Sequence, residues 1–216
     1  AGVAELRAAV GAGPFVNADA WRTGDAFVFD REALESILGG PLADGAVSVR
    51  VMAVDGLGNE SEMVTVDFTL DTLVPAAPGQ PDLASASDTG ASDSDNITRD
   101  ATPDILVDAE PGGRIRLLVD GALTAEVIGH GPVRFAIGPV PLADGERVLT
   151  ATVEDVAGNR SAASPELLLI IDTVDPAVPT LELAPGSDTA PQGDGRTTEP
   201  VVTLVGITDP GVRVLL

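Results

Sequence analysis

Cysteine and lysine are both missing from this chain of 216 residues, and aromatic side chains are scarce. Without cysteine, the chain has no disulfides, no zinc–thiolate sites and no thiol nucleophile. Aromatic residues make up 3% of the sequence, which disfavours a sugar-binding surface because such surfaces rely on exposed aromatic rings. No apolar run approaches 18 residues, so we expect no membrane insertion by this segment.

The charge is strongly of one sign. All 12 positive residues are arginines, against 34 acidic residues, and the formal net charge is -22. Nucleic acid is therefore excluded as a natural partner, because phosphate binding needs basic patches. Aspartates number 22 among the acidic residues, and oxygen-ligated calcium sites use aspartates placed in loops. An acidic surface that serves only solubility or salt tolerance is the alternative.

Several motifs return at a spacing of about 100 residues. The stretch Pro41–Ser61 reads PLADG-x9-D-x2-GN-x-S and is repeated by Pro141–Ser161, the pattern D-T-x2-P-x2-P occurs at Asp71–Pro78 and Asp172–Pro179, and Ser87–Thr89 returns as Ser187–Thr189. Such a period indicates a tandem array of whole small domains, since the repeats of solenoid proteins span only about 20–50 residues.

The repeat divides the chain into three units. Residues 1–71 form an atypical or truncated unit, residues 72–172 a complete one and residues 173–216 a partial one, so we expect a segment of a longer array. In the first unit, Arg31–Leu38 has helical composition and follows Asp30, a suitable N-cap. The spacing of Val3, Leu6 and Val10 allows a second short helix. This unit is either a truncated sandwich with a helical insertion or a distinct leading domain.

The complete unit contains short apolar segments separated by turn residues. Alternation is clearest near its end, where Leu149, Ala151 and Val153 share one face. Seven strands at about ten-residue spacing predict an all-β sandwich. The segments are Asp82–Ala84, Ile105–Ala109, Arg114–Val119, Leu123–Ile128, Val133–Ile137, Arg147–Glu154 and Leu167–Ile171.

The order and spacing of these motifs resemble the bacterial Ig-like repeats of giant type I-secreted adhesins and biofilm-associated proteins. The resemblance covers Asp71–Asp172 fully, through the D-T-x2-P-x2-P, SDTG, SDNIT, AEPG and LADG motifs, and the flanking units partially. It implies tandem Ig-like β-sandwich domains of about seven strands each, with calcium at or near their junctions. The third unit departs from the pattern, because Asp194–Thr197 replaces Asp95–Thr98, and a site in that loop is expected to be weaker.

One candidate calcium site lies at the junction between units. In a seven-strand sandwich the chain enters at one pole and leaves at the other, which brings Asp71 close to the loops Ala109–Gly113 and Asp155–Asn159. The carboxylates of Asp71, Glu110 and Asp155, with the amide oxygen of Asn159, are suitable calcium ligands. The second junction would use Asp172 and Asp209. A tight turn capped by the aspartate explains D-x2-GN equally well, and both readings can hold.

A second candidate lies in the polar loop Ser85–Ala101. Its carboxylates Asp88, Asp93, Asp95 and Asp100 repel one another, and a divalent ion would reverse that cost. The similar composition of Pro185–Thr198 predicts a loop that becomes ordered when its carboxylates are neutralised. A solvated acidic loop is the alternative. Asp120-Gly121 and Asp144-Gly145 are interpreted as turns.

These features favour a structural function: an extender or adhesion segment of a large extracellular bacterial surface protein, stiffened by calcium and in contact with neighbouring repeats. Cell-surface or matrix components would be its further partners. Alternatives are a subunit of a surface-layer, sheath or filament assembly, whose incomplete end units pair with other chains, and a carbohydrate- or ligand-binding accessory module. No nucleophile elbow or histidine-based motif supports catalysis, so an enzyme is not expected.

Overall fold

Strands dominate the protein, which confirms the all-β prediction. The computed structural model describes residues 3–189 and 191–215; residues 1, 2, 190 and 216, which belong to the predicted first and last units, lie outside the described residues. The strands are β1 (Val3–Val10), β2 (Val16–Asn17), β3 (Arg22–Thr23), β4 (Ala26–Phe27), β5 (Gly45–Asp55), β6 (Val64–Leu70), β7 (Asp82–Leu83), β8 (Ile97–Thr98), β9 (Asp104–Val119), β10 (Ala122–Ala136), β11 (Gly145–Glu154), β12 (Leu167–Ile171), β13 (Glu182–Leu183) and β14 (Leu204–Val205).

The first unit combines a sheet of order β2-β1-β5-β6 with helix α1, which spans Arg31–Leu38. The helix has the bounds that its composition indicates. Asp30 caps it, since its Oδ1 accepts a hydrogen bond from the Ala33 amide at 2.9 Å. Gly39 ends it in the left-handed conformation, with φ of 77°. Leu34 and Ile37 are buried in the same apolar cluster as residues of β1 and β5.

The segment Val3–Val10, whose apolar spacing allowed a helix, is a strand. Leu6 pairs with Ala53 of β5 and Val10 pairs with Val49, and both Leu6 and Val10 are buried. The helical interpretation is wrong because pairing with β5 satisfies the backbone hydrogen bonds of this segment and buries Leu6 and Val10.

The second unit is a six-stranded sheet of order β10-β9-β11-β12-β8, with β7 paired to β9. All seven predicted segments overlap these strands. Leu149, Ala151 and Val153 of β11 are 0%, 0% and 2% exposed, which confirms that they share the inward face. They pack in one apolar cluster with Leu169 of β12 and Ile105 of β9.

Two strand boundaries in this unit differ from those predicted. The four segments predicted between Ile105 and Ile137 form two long strands, β9 and β10, joined at Asp120-Gly121. Three residues of β9, Glu110–Gly112, lie opposite a single residue between Gly129 and Gly131. This bulge adds two residues, so the alternation of side chains is unchanged and pairing continues through Ala109–Gly113, which is no chain-reversing loop.

The third unit repeats the beginning of the second. β13 pairs with β14 through Leu183 and Leu204, just as β7 pairs with β9 through Leu83 and Ile105. The loop before β14 is held by a hydrogen bond, in which the Ser187 hydroxyl accepts the Thr203 amide at 2.9 Å. Among the described residues, no helix is long and apolar enough to span a membrane.

Candidate functional site

The D-x2-GN motif forms a closed turn in both copies. After β11, the Oδ1 atom of Asp155 accepts the amides of Ala157 at 2.9 Å and Asn159 at 2.8 Å, and its Oδ2 accepts the Asn159 Nδ2 at 3.0 Å. Asp55 holds the same turn after β5. The tight-turn interpretation is therefore confirmed, and the two aspartates are held by main-chain and amide donors.

These contacts perturb the aspartates that make them. The hydrogen bond from the Asn159 side chain, joined by main-chain amides of the turn, lowers the pKa of Asp155, while partial desolvation opposes the shift. The pKa of Asp55 is lowered for the same reasons, with the side chain of Asn59 as the largest cause. Both turns therefore favour the ionised carboxylate.

Asn159 connects the turn to the preceding unit. Its Nδ2 donates to the main-chain oxygen of Asp71 at 3.0 Å as well as to Asp155. Asp71, Asp155 and Asn159 thus meet at the junction, as the chain order predicts. The carboxylate of Asp71 turns back on its own chain, where its Oδ1 accepts the Leu73 amide at 3.2 Å.

Glu110 is separate from this group. It lies on the exposed bulge of β9 and does not line the adjacent groove of about 400 Å³, which runs between Gly112–Arg114 and Glu154–Gly158. At the second junction, Asp172 Oδ1 accepts the Val174 amide at 3.1 Å, and Asp209 Oδ2 accepts the Ala177 amide at 2.7 Å. Asp172 therefore orders local backbone, whereas Asp209 binds an amide 32 positions earlier in the chain.

A further contact at each exit was missed from the sequence. The carboxylate of Asp44, in the PLADG motif, accepts both the amide of Thr72 at 3.1 Å and its hydroxyl at 2.9 Å. Asp144 holds Thr173 at the same two distances. Asp144 is more than a turn residue, because it fixes the direction in which the chain leaves the unit. The nearly equal separation of the two residues, 28 positions in one copy and 29 in the other, was the signal for this contact.

The polar loop between β7 and β9 is ordered by hydroxyl groups. Thr98, 1% exposed, donates to the Ser87 carbonyl, accepts the Asp100 amide at 2.9 Å and lies 2.9 Å from the Thr89 hydroxyl. β8 then pairs in parallel with β12. The segment is thus part of the sheet.

The four predicted loop ligands take different positions. Asp95 Oδ1 accepts the Ile97 amide, Asp100 Oδ1 accepts the Thr102 amide, and Asp93 is exposed. Asp88 is only 6% exposed: its Oδ2 accepts the Asn96 amide at 3.2 Å, while its Oδ1 is buried without a hydrogen-bond partner.

The third unit repeats this unusual environment. Asp188 is 9% exposed, its Oδ2 accepts the Gly193 amide at 2.6 Å, and its Oδ1 is again buried and unpartnered. A buried carboxylate oxygen without a partner is costly, and two copies carry the same cost. Over residues 3–189 and 191–215, no group of three or more acidic or histidine side chains is placed to hold a metal ion by itself.

Comparison with known proteins finds one family model that is similar to the middle of the chain. Residues 75–173 match the family model described as bacterial Ig-like domain. No curated protein matches the chain.

Three solved structures are similar to this chain at low identity, each with a TM-score under 0.5. Fibronectin(III)-like modules of Clostridium thermocellum CbhA are 13% identical, with a TM-score of 0.45 over 79% of this chain and 78% of theirs. The BSP domain of a biofilm associated protein is 16% identical, with a TM-score of 0.31 over 81% of this chain and 26% of that one. A tetra-tandem repeat from the extending region of a large adhesion protein is 19% identical, with a TM-score of 0.34 over 94% of this chain and 48% of that one.

The lowered pKa of Asp155 gives a direct prediction about the pH dependence of stability. Because folding lowers the pKa of Asp155, the stability it contributes is full above the ordinary aspartate range and is lost as pH falls through the lowered value. NMR titration of the carboxyl groups should therefore give Asp155 a pKa below that of an ordinary aspartate. Asn159→Ala should move it back toward the ordinary range, whereas Asn59→Ala should leave it in place. A normal pKa for Asp155 in the unchanged protein would contradict the turn geometry.

Proposed function

We propose that this chain is an extender segment of a large adhesive surface protein, exported by type I secretion and displayed outside the cell in biofilms. The match of residues 75–173 to the bacterial Ig-like domain model supports this proposal. The observation that carries the proposal is the repeated exit contact. Asp44 with Thr72 and Asp144 with Thr173 fix the chain at the same point of two successive units. If the chain leaves every module in the same fixed direction, the modules can be stacked into a rod.

Calcium is the second part of the proposal. At the junction, one carboxylate oxygen of Asp71 makes no hydrogen bond within the described residues. The amide oxygen of Asn159 likewise makes none within them. Asp155 retains acceptor capacity because its two oxygens offer about four lone-pair positions and accept three hydrogen bonds. These groups, with water and carbonyl oxygens, would complete a calcium shell of 6–8 oxygens. Glu110 could join only by a change of side-chain position.

The polar loops fit a cation for a different reason. The unpartnered Oδ1 atoms of Asp88 and Asp188 are buried acceptors without a donor, which a cation would satisfy. A carboxylate oxygen is a ligand type that calcium prefers, and carbonyl oxygens and water could fill the rest of its shell. Neutralisation would also relieve part of the repulsion within a chain of net charge -22.

Bound calcium would stiffen the array by linking the end of one unit to the turn of the next. The residues themselves do the positioning: the Asp44 and Asp144 carboxylates orient the exits, and Asn159 joins Asp155 to the Asp71 carbonyl. Removal of calcium would leave these hydrogen bonds as the remaining link. The sandwich itself would stay folded because its apolar core lies away from the junction.

The test is calcium titration by calorimetry, with thermal melts in EDTA and in millimolar calcium. A ligand at 100 times its Kd stabilises the folded state by about 2.7 kcal/mol, or about 10–20 °C for a unit of this size. Asn159→Ala should weaken binding and broaden the small-angle scattering envelope. Asn59→Ala is the matched control, since the side chain of Asn59 holds the same turn and, within residues 3–189 and 191–215, donates only to Asp55.

Asp88→Asn distinguishes the two candidate positions. It should remove calcium binding by the loop of the second unit, raise the melting temperature in EDTA by relieving the buried charge, and leave binding at the junction intact. If calcium produces neither heat nor a melting shift in the unchanged protein, the calcium part of the proposal is wrong. Scattering profiles that show freely jointed units in both conditions would reject the extender itself.

A further inference from the structure

The last strand of the second unit, β12, is held along both of its edges. On one edge it pairs antiparallel with β11, and on the other it pairs in parallel with β8. Main-chain hydrogen bonds extend this parallel contact, since the Ile170 amide donates to the Asn96 carbonyl and the Asp172 amide to the Thr98 carbonyl, both at 2.9 Å. The contact therefore reaches the residue at which the chain leaves the unit.

The direction of this pairing decides how it carries tension. β8 comes early in the unit and β12 ends it, and the two strands run the same way. Tension along the chain pulls β12 forward and pulls β8 backward through the residues that precede it. The strands then slide along each other, so the evenly spaced bonds of a parallel pair are strained together. A peeled hairpin would instead open one bond at a time.

β8 can bear such a load only if it is fastened to the chain that enters the unit. Hydroxyl groups of the loop provide this anchor. Thr98 Oγ1 donates to the Ser87 carbonyl and lies 2.9 Å from the Thr89 hydroxyl. The Thr89 hydroxyl accepts the Arg99 amide at 3.1 Å, and the Ser87 hydroxyl accepts the Asp104 amide at 3.0 Å. These bonds fasten both ends of β8 to the segment that follows β7.

The entering chain makes a second tie to the end of the unit. The side chain of Gln80 donates to the main-chain oxygen of Glu166 at 2.6 Å, just before β12 begins. The Gly79 amide donates to the Asp108 carbonyl of β9 at 2.8 Å. The entering chain is thus joined directly to the segment that leads into the last strand, and tension between the two ends of the unit does not have to pass through β9 and β11 alone.

The anchor recurs in the third unit. The Ser187 hydroxyl accepts the Thr203 amide at 2.9 Å, as Ser87 accepts an amide of β9, and the Thr189 hydroxyl accepts the Thr198 amide at 3.1 Å, as Thr89 does for the residue after β8. The hydroxyl anchor is therefore a feature of the repeat and is not particular to one loop.

We propose that β8, with its anchoring hydroxyls of Ser87, Thr89 and Thr98, is a mechanical latch that resists tension along the array. Asp144 supports it by holding Thr173 just after β12, so that the chain is pulled from a fixed point. The inference rests on the proposed extender function for the source of the tension. The latch itself consists of hydrogen bonds and requires no calcium.

The test is single-molecule pulling of the full chain in EDTA. The chain has no cysteine, so two introduced cysteines define the points at which tension is applied. Leu73→Cys with Val174→Cys applies tension where the chain enters and leaves the second unit. Leu123→Cys with Val156→Cys applies it across β10, β9 and β11 and bypasses the latch. All four side chains are exposed, so the attachments leave the core intact.

Thr98→Val should speed unfolding of the second unit at a fixed force, because forced unfolding follows the unfolding rate and the variant loses the buried hydroxyl. With the first cysteine pair we expect an increase of about tenfold or more, and with the second pair less than about threefold. Thr98→Ser keeps the hydroxyl and should retain most of the resistance with both pairs.

Three results would overturn the latch: an unchanged unfolding rate for Thr98→Val with the first cysteine pair, an equal increase with both pairs, or equal rates for Thr98→Ser and Thr98→Val. The second would mean general destabilisation, and the third would mean that packing and not the hydroxyl carries the load. These readouts need neither calcium nor a fixed angle between units. Failure of the latch is therefore distinct from failure of the extender, which scattering measures.

Discussion

Leu169→Ala should destabilise the second unit by about 3–4 kcal/mol, the largest effect that we expect from a single core substitution in this chain. Leu169 of β12 is fully buried, and it packs in one apolar cluster with residues of β7, β9 and β11. Truncation removes the transfer free energy of the lost atoms and leaves a cavity that a sheet paired on both sides cannot easily close. Hydrogen exchange of β11 and β12 peptides, followed during urea unfolding, measures this loss.

Phe68→Ala is the matched control, because Phe68 occupies the corresponding position of the first unit. Its side chain is 39% exposed, so we expect less than about 1 kcal/mol at concentrations where the chain is monomeric. Trp21 lies in the first unit, and its fluorescence reports the unfolding of that unit separately. Equal losses at the two positions would show that the first unit is already covered in solution.

The contrast between these two positions shows how far sequence reasoning extends. That Leu149, Ala151 and Val153 share one face of their strand follows from the alternation alone, because a two-residue period assigns faces without knowledge of neighbours. The same alternation in the first unit predicts which residues face inward but not whether anything packs against them. The cover of a face comes from distant segments, so the exposure of Phe68 is visible only in the structure.

Local signals also succeeded where one element carries all the information. Asp30 and Arg31–Leu38 specify a cap and a helix within nine consecutive residues, and both form. The helical interpretation of Val3–Val10 failed because the segment pairs with β5, about 40 residues away, and this pairing outweighs local propensity. For the same reason β9 and β10 extend through the bulge, since their pairing continues where turn residues suggested an end.

The candidate site shows the same division. The D-x2-GN turns are encoded by adjacent residues, and the structure has the predicted hydrogen bonds in both copies. The contact between Asp144 and Thr173 joins two motifs across 29 positions, and only their nearly equal spacing in the two copies indicated it. Burial of Asp88 could not be predicted, because four nearby carboxylates suggest solvent exposure and only the folded loop encloses one of them.

Thr98→Val should cost about 2–4 kcal/mol although it preserves the size and shape of the side chain. Thr98 is 1% exposed, and its hydroxyl donates to the Ser87 carbonyl while it accepts the Asp100 amide. Valine would leave both buried groups without this partner, and each unsatisfied group costs about 1–3 kcal/mol. Hydrogen exchange at β8, together with urea unfolding of the second unit, measures the effect.

Thr197→Val provides the comparison that separates burial from hydrogen bonding. Thr197 accepts the Glu199 amide at 3.0 Å, but it is exposed, so water can replace the lost hydroxyl. We expect less than about 0.5 kcal/mol for this substitution. Equal costs at the two threonines would mean that the loop around Thr98 is open to water in solution. A large cost at Thr98 alone would show that this hydroxyl holds the loop against the sheet without calcium, so that an ion at Asp88 would add to an order already present.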